Sequence, residues 1–145
     1  MSTTRQNILS SIKTTLEAIK DSNGKRRFTT VKTEDKQAPP SLDVTPLPLI
    51  FVWTDRENRV EDDRAVIGKE TWEWYIVLEV WAKDKDMEEL LSYIHTAMYN
   101  NDDFDHYACF SDRISVDFLT LDTTKQLEAM LVSYRVLYRH TRGVM

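Results

Sequence analysis

Apolar positions in the first segment of the chain recur at helical spacing: Ile8, Leu9, Ile12, Leu16 and Ile19, with Lys13, Glu17 and Lys20 between them. Thr3 and Gln6 are placed to form a capping box, hydroxyl and amide each satisfying an orphan backbone N–H. Asn23-Gly24 supplies a left-handed stop, so the pattern predicts a helix over residues 4–21. Residues 25–33 read as a weak strand anchored only by Phe28 and Val31. Residues 34–48 are polar and carry all four prolines, Pro39, Pro40, Pro46 and Pro48. Proline removes the amide that a sheet ladder needs, so this stretch is expected to be a loop or an arm along a sheet edge. LIFVW at residues 49–53 reads as a short buried strand. Residues 55–69, opening DRENRVEDDRAVIG, read as a second long solvated loop.

ETWEWYIVLEVWAK, residues 70–83, is the strongest strand in the chain. Alternation puts Trp72, Trp74, Ile76, Leu78 and Val80 on one face, and Tyr75, Val77 and Trp81 with Glu73 and Glu79 on the other. A helix follows directly, with Asp86 as N-cap, Glu89 three residues on, and an apolar stripe of Met87, Leu90, Leu91, Ile94 and Met98. Asn100-Asn101-Asp102-Asp103 ends it. Strands at residues 113–121 and 127–140, joined by a turn at 122–125, read as a hairpin. The predicted fold class is therefore α+β: one domain over residues 1–145, a mostly antiparallel sheet of about four to five strands, and two helices packed on one face.

That arrangement has a covering problem. A five-strand sheet is roughly 24 Å wide at about 4.8 Å per strand, and two helices of about 10 Å each blanket one face and little more. Yet the strands at 70–83 and 127–140 are apolar on much of both faces, the second face of the latter carrying Ala129, Leu131 and Leu137. Either loop 34–48 folds over the second face or another subunit covers it. The generous tryptophan content favours a partner, because Trp and Tyr suit interfaces.

Composition narrows the chemistry. At 145 residues, with 41% apolar residues and 30% charged, the chain can build one core, and disorder throughout is not expected. Its single cysteine, Cys109, excludes an internal disulfide framework and a cysteine-cluster zinc site. The start, MSTTRQNILSS, lacks an apolar run of signal-peptide length, and no stretch reaches membrane-spanning length, so a soluble intracellular chain is expected. A net charge of −5 argues against general nucleic-acid affinity. His106-x-x-Cys109 is half of a metal site, with only His95, His140 and acids to complete it; a solvated histidine beside a packed cysteine is the simpler reading. Asp102, Asp103 and Asp105 fail the calcium-loop pattern, since Ala108 falls where glycine is required and Ile114 where the bidentate glutamate belongs. No G-x-S-x-G elbow occurs. The expectation is a protein with no catalytic residues, no cofactor and no bound metal. Two basic clusters, Lys25-Arg26-Arg27 and Arg135, Arg139, His140 and Arg142, read either as solvated edges or as docking patches for the acidic stretch 55–63 of a neighbouring copy.

The run IVLEVWAKDKDMEELLSYIHTAMYN resembles the tail terminator (tail completion) proteins of tailed bacteriophages. The closing hairpin ISVDFLTLD…LEAMLVSYRVLYRH and the opening ILSSIKTTLEAI fit the same resemblance, which spans residues 4–140. It implies a structural virion protein that forms a ring, a hexamer, on the head-proximal end of the tail tube. The ring stops tube polymerisation and forms the joint to the head. Implied partners are further copies of the chain, the tail tube protein, a head-completion or neck protein and, in a contractile tail, the sheath. DNA would pass through the lumen without specific binding. The implied location is the virion tail or neck, with the host cytoplasm during assembly. The subunit or partner contacts are expected at Trp72, Trp74, Tyr75 and Trp81 and at Arg135, Arg139 and Arg142. Competing readings are a head–tail connector or head-completion protein, and a soluble binding module or small hydrolase using His95 or His106.

Overall fold

The computed structural model describes residues 3–34, 46–60, 69–83, 85–122 and 127–141. Two helices and five strands follow one another as α1 (Thr4–Glu17), β1 (Thr30–Glu34), β2 (Leu49–Val60), β3 (Lys69–Lys83), α2 (Met87–Asn100), β4 (Phe110–Asp122) and β5 (Leu127–Thr141). The strands form one sheet in the order β1-β2-β3-β5-β4, with β1 parallel to β2 and every other pair antiparallel. This is the α+β architecture expected from the pattern, with β4 and β5 paired as the hairpin strands.

The central pair dictates where the core lies. β3 and β5 run in unbroken register from Lys69↔Thr141 to Lys83↔Leu127. Because paired residues share a face, Trp74, Ile76, Leu78 and Val80 stand beside Val136, Tyr134, Val132 and Met130, and all of them are buried. Both helices lie on this face. α1 contributes Ile8, Leu9, Ile12 and Leu16, and α2 contributes Met87, Leu90, Ile94 and Met98. Thr3 caps α1 through the predicted box, its hydroxyl accepting from the Gln6 amide at 3.1 Å while the Thr3 amide donates to Gln6 Oε1 at 2.8 Å. Asp86 caps α2 by accepting from the amides of Glu88 and Glu89.

Four expectations need correction. α1 ends at Glu17, four residues early, with Ala18 as a right-handed C-cap. Gly24, at φ +80°, instead closes a tight turn inside the Lys20↔Arg26 bridge. The Asp21 carboxylate holds that turn by accepting from the Lys25 and Asn23 amides, and the Lys25 bond draws its pKa below the usual carboxylate range. The second correction concerns residues 55–69. β2 does not stop at Trp53 but continues to Val60, and β3 begins at Lys69, so only 61–68 of that expected loop lies outside the described residues. A bulge at Asp55, between the pairs Thr54↔Ile76 and Arg56↔Tyr75, inverts the alternation of β2 and hides the strand from a period-two reading. Finally, β1 occupies only Thr30–Glu34, and β4 begins at Phe110, three residues earlier than expected. Of the arm 34–48, residues 35–45 lie outside the described residues. Its last residues hug the start of β1, where Thr30 N donates to Pro48 O and the Thr30 hydroxyl to Pro46 O. The predicted turn at 122–125 falls, beyond Asp122, outside the described residues.

The bulge places a charge in the core layer. Beyond it Glu57 pairs with Trp74 and so faces the helices. Glu57 accepts a hydrogen bond from the Tyr138 hydroxyl and pairs with Arg5 of α1 at 3.3 Å. The Arg5 guanidinium stands 5.0 Å from the centre of the Trp74 ring, and Trp74 meets Tyr138 edge-on with ring centres 6.0 Å apart.

A second fastening joins α1 to the turn after α2. The buried Ser11 hydroxyl donates to Asp105 at 2.7 Å, and Asn101 Nδ2 donates to Ser11 and Thr15. Phe104, Asp105 and His106 all have positive φ (47°, 58° and 73°), an arrangement costing roughly 1–2 kcal/mol per non-glycine residue. Full burial of Phe104 in the core cluster offsets that strain. Phe104→Ala is therefore expected to destabilise the fold by about 3–5 kcal/mol, against less than about 1 kcal/mol for the exposed Phe118→Ala, as read from denaturant midpoints.

The buried phenols give the fold an alkaline limit. Tyr134 is nearly fully buried, its hydroxyl has no partner among the described residues, and burial pushes its pKa up to about 12 against a small opposing pull from Arg113. Burial, then the Glu57 hydrogen bond, raises Tyr138 as well. A phenol whose pKa is higher folded than unfolded contributes fully below about pH 10, and that contribution is lost as pH climbs through the folded value. Stability is expected to fall on the order of 2 kcal/mol over that interval from Tyr134 alone, and Tyr134→Phe should flatten the decline when midpoints are followed across the alkaline range.

Candidate interaction surface

The sheet face opposite the helices carries Leu49, Phe51 and Trp53 of β2, the odd-numbered residues of β3 from Thr71 to Trp81, and the odd-numbered residues of β5 from Ala129 to Arg139. None of the described helices packs on it. Leu49, Phe51, Val77 and Ala129 are buried at its apolar end, while Trp53, Tyr75, Trp81, Leu131 and Leu137 stay half-buried. Glu79 lies among them at 6% exposure, and its carboxylate accepts from Trp81 Nε1 at 2.8 Å.

The other end of the face is a chain of charged and aromatic groups crossing four strands. The Arg56 guanidinium of β2 sits 4.5 Å over the Tyr75 ring of β3. The Tyr75 hydroxyl donates to Glu73, and that hydrogen bond raises the phenol's pKa. Glu73 faces Arg135 of β5 at 3.7 Å, and Arg135 forks onto Asp112 of β4 through two contacts of 3.3 Å. Arg139 Nε donates to the Thr71 hydroxyl at 3.1 Å.

The expected contact residues therefore separate. Tyr75, Trp81, Arg135 and Arg139 share the helix-free face, with Trp81 at its apolar end and Arg139 at the other. Trp74 does not join them: it is fully buried on the helix-covered face and offers no surface to a partner. Trp72 shares that face, half-buried against the core, with its indole N–H donating to Glu70. Arg142 lies outside the described residues. Arg135 also does not wait for a neighbour's acids, because Glu73 and Asp112 of its own chain already meet it. Nor is the stretch 55–63 a free acidic loop; its first part is β2 strand, and Glu61, Asp62 and Asp63 lie outside the described residues.

The chemistry-bearing side chains elsewhere serve local structure. His106 Nδ1 meets Asp103 at 2.7 Å on the exposed turn, and Asp105 accepts from Ser11. His95 is exposed on α2 beside Tyr99. Cys109 is exposed, and its amide donates to Leu137 O at 2.7 Å. Among the described residues, no group of three or more His, Cys, Asp and Glu side chains could hold a metal ion. No described helix is long and apolar enough to cross a membrane. Concavities among the described residues include the following. A shallow groove of about 670 Å³ runs between α1 and α2, floored by Thr15, Ala18, Tyr93 and Ala97. A smaller hollow of about 270 Å³ lies between α2 and β4, against Tyr99, Arg113 and Tyr134.

Sequence reasoning missed one surface. Every large apolar side chain that stands exposed among the described residues falls between Tyr99 and Leu119, and four of the six are on β4: Phe110, Ile114, Phe118 and Leu119. Adjacency was the available signal, since neighbouring strand residues point to opposite faces and Phe118-Leu119 cannot share one.

No protein-family model matches the chain, and no curated protein matches it. Among solved structures, a chain described under "Virion of native gene transfer agent (GTA) particle" aligns with a TM-score of 0.48 at 11% identity, covering 97% of this chain and 100% of that one.

Proposed function

We propose that this protein is a tail terminator of a tailed bacteriophage, a structural virion component that assembles as a ring on the head-proximal end of the tail tube. The ring ends tube growth and presents the surface to which the head, through a neck or head-completion protein, is joined. The sequence resemblance over residues 4–140 is what favours this family in the proposal. The observation that carries the reading onto the structure is the helix-free sheet face, where Tyr75, Trp81, Arg56 and Arg139 stand on a rigid platform of long paired strands. Aromatic and arginine side chains held in fixed geometry lose little entropy on docking and dominate protein–protein binding energy. In this reading the face meets another virion protein, the tail tube first among them, and the protein's chemistry is contact rather than turnover.

Negative-stain imaging of the purified protein, alone and mixed with tail tubes, tests the proposal. Rings closing one end of each tube are the expected outcome. Binding to portal complexes and never to tubes would replace the terminator reading with that of a head–tail connector. Trp81→Ala combined with Arg139→Glu is expected to weaken tube capping by about tenfold or more, as measured by co-sedimentation at a temperature where circular dichroism shows the variant folded, since loss of Trp81 also removes a hydrogen bond to the buried Glu79. Unchanged capping would remove this face from the contact.

A further inference from the structure

The two edges of the sheet are electrically opposite. Among the described strands β4 and β1 are terminal, each with a single neighbour, so each presents one row of backbone N–H and C=O groups with no described strand beside it. Residues 101–122, which form β4 and the turn leading into it, hold six aspartates (Asp102, Asp103, Asp105, Asp112, Asp117 and Asp122) against one basic residue, Arg113, apart from His106. Residues 20–34, which form β1 and its approach, hold Lys20, Lys25, Arg26, Arg27 and Lys32 against Asp21 and Glu34. Asp112 already meets Arg135 and Arg26 meets Glu17, and the remaining charges leave one end of the sheet acidic and the other basic.

The acidic edge is also the apolar one. Phe118 is 51% exposed, Ile114 48% and Leu119 43%. A thirteen-residue edge strand with exposed apolar side chains is a template for pairing, and native proteins usually blunt such edges. Here the blunting is selective. Two β4 edges brought together would oppose aspartates to aspartates, and two β1 edges centred on Lys32 would set that lysine against itself, whereas β4 against β1 sets Asp117 and Lys32 on one face with opposite charges. Face matching agrees: Asp117 pairs with Leu131 and Lys32 with Phe51, which puts both on the helix-free side, where continuation of the sheet across two copies brings them together.

We propose that copies of this chain join head to tail, the β4 edge of one docking against the β1 edge, residues 20–34, of the next. Such a contact is heterologous, and it closes into a ring when the rotation per subunit permits. The inference rests on the ring reading above and specifies the surface that builds the ring.

Two charge-reversed proteins test it by size-exclusion chromatography with light scattering. One carries Ser115→Lys and Asp117→Lys; the other carries Lys25→Glu and Lys32→Glu. Each alone should need about tenfold or more higher concentration than wild type to assemble. Their equimolar mixture should regain assembly, because each reversed edge then meets a complementary one. A second measurement is independent of the charge variants. Asp117→Cys and Lys32→Cys in a Cys109→Ser background should give covalent multimers with a short bismaleimide. Variants that assemble like wild type, a mixture that stays dispersed, or the absence of cross-linked multimers while wild type is oligomeric would overturn the edge contact and leave the ring standing. A wild type that is monomeric at every concentration would overturn the ring and this inference together.

Discussion

Glu57 is the residue on which the architecture turns. A carboxylate reaches the helix-covered side of β2 only because the bulge at Asp55 shifts the parity of every residue after it. Once there, half-buried, it gains from being matched, since a charge shielded from water without a partner is costly. Tyr138 of β5 and Arg5 of α1 provide the match, and Arg5 at the same time covers the Trp74 ring of β3. One polar knot therefore joins three adjacent strands to the first turn of the first helix. It fixes where α1 crosses the sheet, and the direct contact between α1 and α2 sets the second helix beside it.

With both described helices committed to one side, the opposite side keeps Tyr75, Trp81, Arg135 and Arg139 at least partly exposed as a surface. Its groups are not loose. Arg56, Tyr75, Glu73, Arg135 and Asp112 hold one another across four strands, so the face is charged and rigid at once. Rigidity matters for contact, because side chains already fixed in place pay little further entropy on binding. The same internal pairing explains why Arg135 is a poor candidate for steering a partner: its charge is neutralised within its own chain.

The apolar periodicity of β3, α2 and β5 made those elements legible, and the Thr3–Gln6 and Asp86 caps could be named because capping is local chemistry. What stayed hidden was hidden for physical reasons. β2 beyond Trp53 is polar, and its bulge breaks the alternation that identifies a strand. The end of α1 gave no local signal, since Gly24 serves a turn six residues beyond the C-cap. The assignment of Trp74 to a contact surface failed because both faces of β3 are apolar, and which one the helices take is decided by β5 and Glu57 rather than by β3 itself. The clustering of exposed apolar groups on β4 is a property of sheet order. No reading of residues 110–122 alone reveals that this strand lies at the edge.

Sheet order also separates adhesion from choice. Charges on opposite edges are screened over about 8 Å at physiological ionic strength, less than the width of two strands. They cannot draw copies together from afar, and exposed ion pairs add little at contact. The adhesive part must come from the open backbone row of β4 and from Phe118, Ile114 and Leu119, which gain by leaving water. What the charges can do at contact is penalise the wrong pairing, because like-charged edges touching each other are destabilised while unlike edges are not. An apolar edge without that polarity would pair with its own copy across a two-fold axis and stop at a dimer. An apolar edge that is also acidic, on a sheet whose far edge is basic, turns every copy in the same sense.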